Sequence, residues 1–264
     1  MFDSHHWPSP AFGEVPPLSI AEELANAVRR VLNTGPTDRQ ELTPLLEASR
    51  CDLQLRRLGA RPGGIEAALA PRSGDRFALL VDTEPRGGWT SVFPALREEL
   101  ARHRLRFRAA HEIGHSFFYD RSGLRPRRFA PNSAAQERWC DRFASALLLP
   151  PSVVGTASPT CETLLDLHRR FDVSLQAAAR ALARVQCERF VAVLVARGRR
   201  PPFVRVQWQK SHGTPMDRWW AASELQSVLE DGCRTGTLRL LWPDGPRAAS
   251  WHGLPGRAQI LVVA

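Results

Sequence analysis

Two histidines stand four positions apart, His111 and His115, and a glutamate, Glu112, directly follows the first. On an α-helix, side chains four residues apart lie on the same face, so both imidazoles can reach one cation at about 2.0–2.1 Å. The same spacing places the Glu112 carboxylate beside the solvent position of that cation, where it can act as a general base. The pattern therefore predicts a metal-binding helix over about 104–119, with Glu112 as the catalytic residue.

A catalytic zinc ion needs a third protein ligand and one open position. Glu137 is the best candidate, because it shares a helix face with Asp141 in the segment 133–149, whose apolar residues form a separate stripe. Asp141 can accept a hydrogen bond from the non-ligating nitrogen of His111 and orient that ring. The alternative for Glu137 is a solvated glutamate that the helix dipole favours at a helix N-terminus. We expect a helix hairpin to bring the two segments together.

A peptide-bond hydrolase also needs a donor for the developing oxyanion. Tyr119 and His168 are the candidates, and two arginines near the histidine pair, Arg106 and Arg108, are alternatives. The sequence does not choose among these four side chains. Packing against the helix hairpin is the competing explanation for Tyr119.

The rest of the chain is organised around this helical part. A proline-punctuated flexible tail is expected over 1–18, a small sheet over 51–82, a helix pair over 161–187 and an α/β module over 189–264. The fold class is therefore α+β, a helical zincin-like catalytic core with a small N-terminal sheet and a C-terminal α/β module. Strands are predicted at 53–58, 65–69, 77–81, 190–196, 203–207, 238–242 and 260–263, a helix at 223–230, and helix N-caps at Ser133, Thr160 and Ser174.

Composition narrows the class of protein. The 264 residues are 43% hydrophobic, enough to bury a core, and the formal charge of +9 comes almost entirely from arginine. That charge suits nucleic acid or acidic partners, but the base composition of the genome is the stronger explanation of an arginine excess. The five cysteines are scattered without a C-x-x-C pair, and no signal peptide or membrane span is recognisable. We expect a cytoplasmic protein with reduced thiols.

The motif segments together resemble the ImmA/IrrE family of HExxH, gluzincin-like zinc metallopeptidases. The likeness covers roughly 19–188, is specific between about 105 and 182, and departs from the family pattern at Cys140, where alanine is usual, and at Asp141, where asparagine is usual. The matching residues are Arg106-Phe107, Ala110-His111-Glu112-Ile113-Gly114-His115, Glu137, Asp141, Phe143-Ala144, Leu147-Leu148-Leu149-Pro150 and Arg170-Phe171-Asp172-Val173-Ser174.

The resemblance implies a cytoplasmic, zinc-dependent endopeptidase with one Zn²⁺ per chain. It further implies cleavage of a helix-turn-helix repressor or an antitoxin-like regulator in a stress or phage-related response. We expect a metallopeptidase domain over 19–188 and a possible sensor or docking domain over 189–264.

A different class of function starts from residues 164–182, which have the length of a helix-turn-helix. Together with the basic charge, they would suit a DNA-binding transcription regulator with a structural or vestigial metal site. Completion of the peptidase core is the competing role for these helices, because the second helix offers Gln176 and Arg180 but few other base-reading side chains.

Overall fold

The computed structural model describes most of the chain and divides it into two compact units, Met1–Pro150 and Pro151–Ala264. The described residues are 7–8, 10–56, 67–82, 94–129, 131–158, 160–185, 190–197, 204–212, 235–242, 245–253 and 259–263. Helices and separate small sheets make up the described part, which confirms the α+β class. The assignment of 19–188 to one metallopeptidase domain stays a proposal.

The first unit combines helices with a small mixed sheet. Its elements in chain order are α1 (Leu18–Val31), α2 (Leu42–Ala48), β1 (Cys51–Arg56), β2 (Ala67–Pro71), β3 (Phe77–Asp82), α3 (Pro94–Ser116), β4 (Tyr119–Asp120), β5 (Arg127–Arg128) and α4 (Ala134–Leu148). The sheet has the order β1-β3-β2, with β1 parallel and β2 antiparallel to β3. All three strands predicted in this region are confirmed, each shifted by two residues or fewer.

The long helix α3 differs from its predicted bounds at both ends. It begins at Pro94, ten residues before the predicted start, because proline is well tolerated in the first turn and the following residues are mostly good helix formers. It ends at Ser116, and Tyr119 already belongs to β4, where it pairs with Arg128 of β5. The motif residues thus lie in the last two turns of a much longer helix.

Gly114 allows α3 and α4 to cross closely beside the histidine pair. A Cβ atom at Gly114 would lie 3.3 Å from both the Cα and the Cβ of Cys140 and 3.2 Å from the Phe143 ring. Such contacts are too tight for a larger side chain without movement of the α4 backbone. The predicted helix hairpin is therefore present, and the two helices approach each other closely at Gly114, one residue before His115.

A cluster of aromatic side chains packs against the crossing of α3 and α4. Trp139 and Phe143 of α4 stack with their ring centroids 6.0 Å apart, and Phe117 meets Phe143 edge-to-face at 5.3 Å. All three rings are fully or almost fully buried. These buried rings hold α3 and α4 together on the side of the crossing that faces away from solvent.

The N-terminal segment, expected to be a flexible tail, contacts this cluster. Trp7 stacks on Phe117 with ring centroids 6.3 Å apart, and Phe12 lies 5.7 Å from Phe118 and 5.5 Å from Trp139. The backbone N–H of Phe12 also donates to the Phe117 carbonyl at 2.9 Å. The described part of the segment is docked because its two aromatic residues bury more apolar surface against the cluster than a free tail would.

We expect Phe143→Ala to lower the free energy of unfolding by about 3–5 kcal/mol, because it removes a fully buried ring from between the motif helices. Urea denaturation of metal-free protein measures this loss. Phe129→Ala is the matched control, since Phe129 is 46% exposed and its truncation should change stability by less than about 0.5 kcal/mol. Equal effects of the two variants would contradict the packing described for the cluster.

The second unit carries the remaining helices and an antiparallel sheet. Its elements are α5 (Pro151–Val154), α6 (Cys161–Phe171), α7 (Leu175–Val185), β6 (Phe190–Arg197), β7 (Val204–His212), β8 (Thr235–Trp242), β9 (Gly245–Gly253) and β10 (Gln259–Val263). The sheet order is β7-β6-β10-β9-β8, with every neighbouring pair antiparallel. The predicted N-caps Ser133, Thr160 and Ser174 are confirmed, because each side chain accepts a hydrogen bond from the backbone N–H three residues later.

The sequence did not predict β9. Its residues are mostly small or polar and include a proline, so intrinsic strand propensity is weak. Pairing with β8 on one side and with β10 on the other stabilises it instead. The helix predicted at 223–230 lies outside the described residues.

Candidate metal centre

His111 and His115 project from the last two turns of α3 and face each other. Their Nε2 atoms lie 3.1 Å apart and their ring centroids 4.9 Å apart, with rings inclined by 72°. The residues are only 4% and 5% exposed. The structure thus brings the predicted pair together as the four-residue spacing requires.

Glu137 reaches the same point from the first turn of α4. Its Oε2 atom lies 3.1 Å from His111 Nε2, and its Oε1 atom lies 3.3 Å from His115 Nε2. The Ser133 cap begins the helix just before it, and the Asn132 side-chain amide donates to Oε1. With 44% of its side chain exposed, Glu137 forms the solvent-facing edge of the group.

The two imidazole nitrogens and the carboxylate oxygens of Glu137 fit a divalent metal. In a tetrahedral site with ligand distances of about 2.0–2.1 Å, neighbouring donors lie about 3.3 Å apart, close to the separations found here. His111 Nδ1 lies 2.8 Å from Asp141 Oδ1, and donation of its hydrogen to that carboxylate leaves an electron pair on Nε2. The electron pair on His111 Nε2 then faces Glu137 Oε2 at 3.1 Å. Two electron-rich atoms at this distance need a proton or a metal cation between them.

Glu112 lies next to the three donors and is 8% exposed. Its ligand atom falls within 4.8 Å of those of His111 and His115, so this glutamate is the competing third ligand. The contacts of 3.1 and 3.3 Å favour Glu137 in that role and leave Glu112 beside the metal position. Burial raises the pKa of Glu112, against the opposing effect of the neighbouring His111, and so brings the carboxyl group closer to the range useful for proton transfer.

Asp141 contacts His111, the partner expected from the sequence. Since Asp141 is one helical turn beyond Glu137, α4 supplies both the carboxylate that faces the metal position and the one that orients a histidine. Burial alone would lower the pKa of His111, but the hydrogen bond to Asp141 and the nearby carboxylates raise it overall. The orienting role of Asp141 stays a prediction.

We expect Asp141→Ala to weaken metal binding by about 10–100-fold, because the His111 ring loses the acceptor that sets its tautomer and orientation. Competition with a coloured chelator measures the dissociation constant. Glu162→Ala removes an exposed carboxylate from α6 and should leave that constant unchanged. A wild-type dissociation constant in the Asp141→Ala variant would contradict the role given to Asp141.

Two contacts at His115 were not anticipated from the sequence. Its Nδ1 atom lies 3.4 Å from Cys140 Sγ and 3.4 Å from a terminal nitrogen of Arg128. Burial, with the charge of the neighbouring His111, lowers the pKa of His115 to about 4. Burial also raises the pKa of the Cys140 thiol, which is therefore neutral near pH 7. The position of Cys140 on the stripe facing α3 was the one available sequence signal.

The candidate oxyanion donors have other contacts. Tyr119 is buried, and its ring meets Phe77 edge-to-face at 5.2 Å, in agreement with a packing role. Burial raises the pKa of the Tyr119 phenol. His168 lies in the second unit, where its Nδ1 contacts the Val173 carbonyl oxygen at 2.6 Å just beyond the end of α6. A part for either residue in catalysis stays a prediction.

The two arginines near the motif also differ. Arg106 is buried and donates to the Gln40 carbonyl at 2.7 Å, a contact that ties α3 to the residues before α2. Arg108 is half-buried, and its charge acts on Glu112 to lower the pKa of that carboxyl group. Neither contact shows oxyanion stabilisation.

Comparison with known families supports this geometry. Residues 95–183 match the family model Peptidase_M78, described as the IrrE N-terminal-like domain. This confirms the resemblance inferred from the motifs, since the matched segment contains the histidine pair, Glu112, Glu137 and Asp141. No curated relative matches the chain. Among the described residues, no helix combines the length and the apolar character needed to cross a bilayer.

Proposed function

We propose that the chain, whose residues 95–183 match the model of the IrrE N-terminal-like peptidase domain, is a zinc-dependent endopeptidase. The observation that carries the proposal is the convergence of His111, His115 and Glu137: the two Nε2 atoms lie 3.1 Å apart, and each lies 3.1 or 3.3 Å from one of the two Glu137 oxygens, with Glu112 beside the histidines. In this proposal the first three residues hold the metal and Glu112 is the catalytic residue.

Zinc is proposed because two imidazoles and one carboxylate with an open position are typical of its catalytic sites. When bound, the ion supplies Lewis acidity that polarises the scissile carbonyl and acidifies the attacking water. Manganese is the alternative metal in the cell. Metal content of the protein purified without added metal distinguishes the two.

Glu112 performs the proton transfers. Its carboxylate accepts the proton of the attacking water, and the resulting carboxylic acid donates that proton to the leaving amine. Burial helps, because a raised pKa makes the carboxyl group a better acceptor before attack and keeps the proton available afterwards. Asp141 would hold the His111 ring at Nδ1 while Nε2 faces the metal position, so that the ring does not turn during the reaction.

A protein substrate follows from the peptidase family, and we propose a helix-turn-helix repressor or an antitoxin-like regulator. The support is the family match over 95–183. Cleavage would belong to a stress or phage-related response in the cytoplasm. The three cysteines in the described part of the chain, Cys51, Cys140 and Cys161, are buried and free, which agrees with a reducing compartment.

The C-terminal module is proposed to sense a signal or to dock the substrate. The support is that this module forms its own five-stranded antiparallel sheet, which shares no strand with the three-stranded sheet of the unit that carries the catalytic residues. Deleting it should change the trigger or the substrate range and leave the metal bound.

The DNA-binding alternative rests on α6, α7 and the turn between them. Asp172 in this turn has a left-handed backbone with φ of 51°. On α7, Leu175, Ala178 and Leu182 are buried, whereas Arg180 is exposed. A buried stripe of this kind agrees with packing, and steeply salt-dependent binding to a short duplex would support the regulator instead.

The test combines metal analysis with proteolysis. Purified protein should contain about one zinc per chain and should cut a helix-turn-helix regulator encoded next to it at a defined bond. Removing the metal with a chelator should stop cleavage, and adding zinc back should restore it. Bound metal with no cleavage of any protein would contradict the endopeptidase proposal. Cleavage of other proteins but not of the helix-turn-helix regulator would contradict the proposed substrate.

A further inference from the structure

The ring of His115 needs a hydrogen-bond acceptor at Nδ1 if its Nε2 binds metal, a condition that rests on the proposed function. A neutral imidazole carries one hydrogen, and metal binding at Nε2 leaves that hydrogen on Nδ1. Metal-binding histidines almost always donate this N–H to an acceptor, which sets the orientation of the ring. For His111 that acceptor is Asp141, 2.8 Å away.

Among the described residues, two side-chain groups lie at His115 Nδ1, Arg128 and Cys140, and of these two the thiol can accept a hydrogen bond. Arg128 approaches to 3.4 Å, but a guanidinium has five N–H donors and no acceptor. Cys140 Sγ also lies at 3.4 Å, and a thiol sulfur is a weak acceptor. Metal binding at Nε2 therefore makes Cys140 the favourable neighbour and Arg128 the unfavourable one.

We propose that Cys140 is a positioning residue that accepts the His115 Nδ1–H hydrogen bond and thereby orients the second histidine towards the metal. It precedes Asp141 directly, so adjacent residues of α4 serve the two histidines of α3. Cys140 is fully buried, and its Cα and Cβ would both lie 3.3 Å from a Cβ atom at Gly114, where α3 and α4 cross closely.

The test compares Cys140→Ala and Cys140→Ser by chelator competition and by the absorption spectrum of the cobalt-substituted protein. Alanine removes one sulfur atom, favours helix and is the usual residue in the family that this chain resembles, so the variant should fold. We expect Cys140→Ala to weaken metal binding by about tenfold, the lower end of such effects because the acceptor is weak. Cys140→Ser keeps an acceptor oxygen and should recover most of the loss.

Cys51→Ala is the matched control, since Cys51 is a buried cysteine of the same unit whose sulfur contacts the Ser49 carbonyl oxygen. It should bind metal like the wild type. Thermal unfolding of the metal-free forms separates packing from positioning, because both Cys140 variants lose the same sulfur contacts. The cobalt d–d bands should shift in Cys140→Ala and return towards the wild-type positions in Cys140→Ser.

Three results would overturn the inference. Equal metal affinity in Cys140→Ala and wild type would show that the sulfur contributes nothing, while the proposed function would stand. Equal losses in both variants, in step with their stability, would show a packing role. A thiolate-to-cobalt charge-transfer band in the near ultraviolet would make Cys140 a ligand. A wild-type protein that binds no metal would instead defeat the proposed function itself.

Discussion

Replacing Glu112 with glutamine is expected to lower kcat by about 10²–10⁴-fold while metal stays bound. Glutamine has nearly the shape of glutamate but cannot accept a proton from water, so the proton transfer is lost. The donor atoms of His111, His115 and Glu137 are unchanged. Single-turnover cleavage of the regulator, with metal analysis of the same sample, measures both quantities.

A comparison variant makes this result specific. Arg142→Ala alters α4 on the side that pairs with Glu22, with 2.5 Å between the charged atoms, and should keep both the metal and the activity. Activity near the wild-type level in metal-loaded Glu112→Gln would show that another group accepts the proton. Loss of metal from Glu112→Gln would point to Glu112 as a ligand, the alternative that its proximity to the histidines leaves open.

Replacing His115 or Glu137 with alanine is expected to leave the purified protein without stoichiometric metal. Structural zinc sites with four ligands bind with about 10–16 kcal/mol, or about 3 kcal/mol for each ligand. Loss of one of three ligands should therefore raise the dissociation constant roughly a hundredfold or more. Metal content after gel filtration and the rise in melting temperature on adding zinc both report this change.

The Glu137 variant is the more informative of the two. His115 is a ligand whether the third donor is Glu137 or Glu112, so only the Glu137 variant distinguishes these two assignments. Zinc at wild-type affinity in Glu137→Ala would show that the carboxylate, 3.1 Å from His111 Nε2, is not a ligand. The third donor would then be Glu112, and the proposed proton transfers would need another base. Arg142→Ala again serves as the control on α4.

The parts of the site that could be predicted are the contacts between residues that are close together in the sequence. The pairing of His111 with His115 follows from helical periodicity, since residues four apart share a face. The same rule places Glu137 and Asp141 on one face of α4, and the structure finds each within hydrogen-bonding distance of His111. Local sequence also contains the three N-caps, because each is a contact between a side chain and a backbone group three residues away.

Contacts between segments far apart in sequence could not be predicted in this way. Arg128 and Cys140 reach His115 from β5 and α4, and neither residue belongs to a metal-binding motif. Trp7 and Phe12 pack on the cluster although prolines and polar residues surround them. Periodicity reports the burial of a face but does not identify the residue opposite it.

The amino-acid sequence by itself determined the class of chemistry, because a pair of imidazoles with a neighbouring carboxylate on one helix depends only on local backbone geometry. Only the tertiary structure decided which carboxylate lies nearest the metal position and which side chains touch each imidazole. Gly114 lets α4 approach α3 closely, and the buried aromatic rings hold that approach. Such distances result from packing across the whole unit. Because many residues share the packing energy, no single sequence motif predicts these distances.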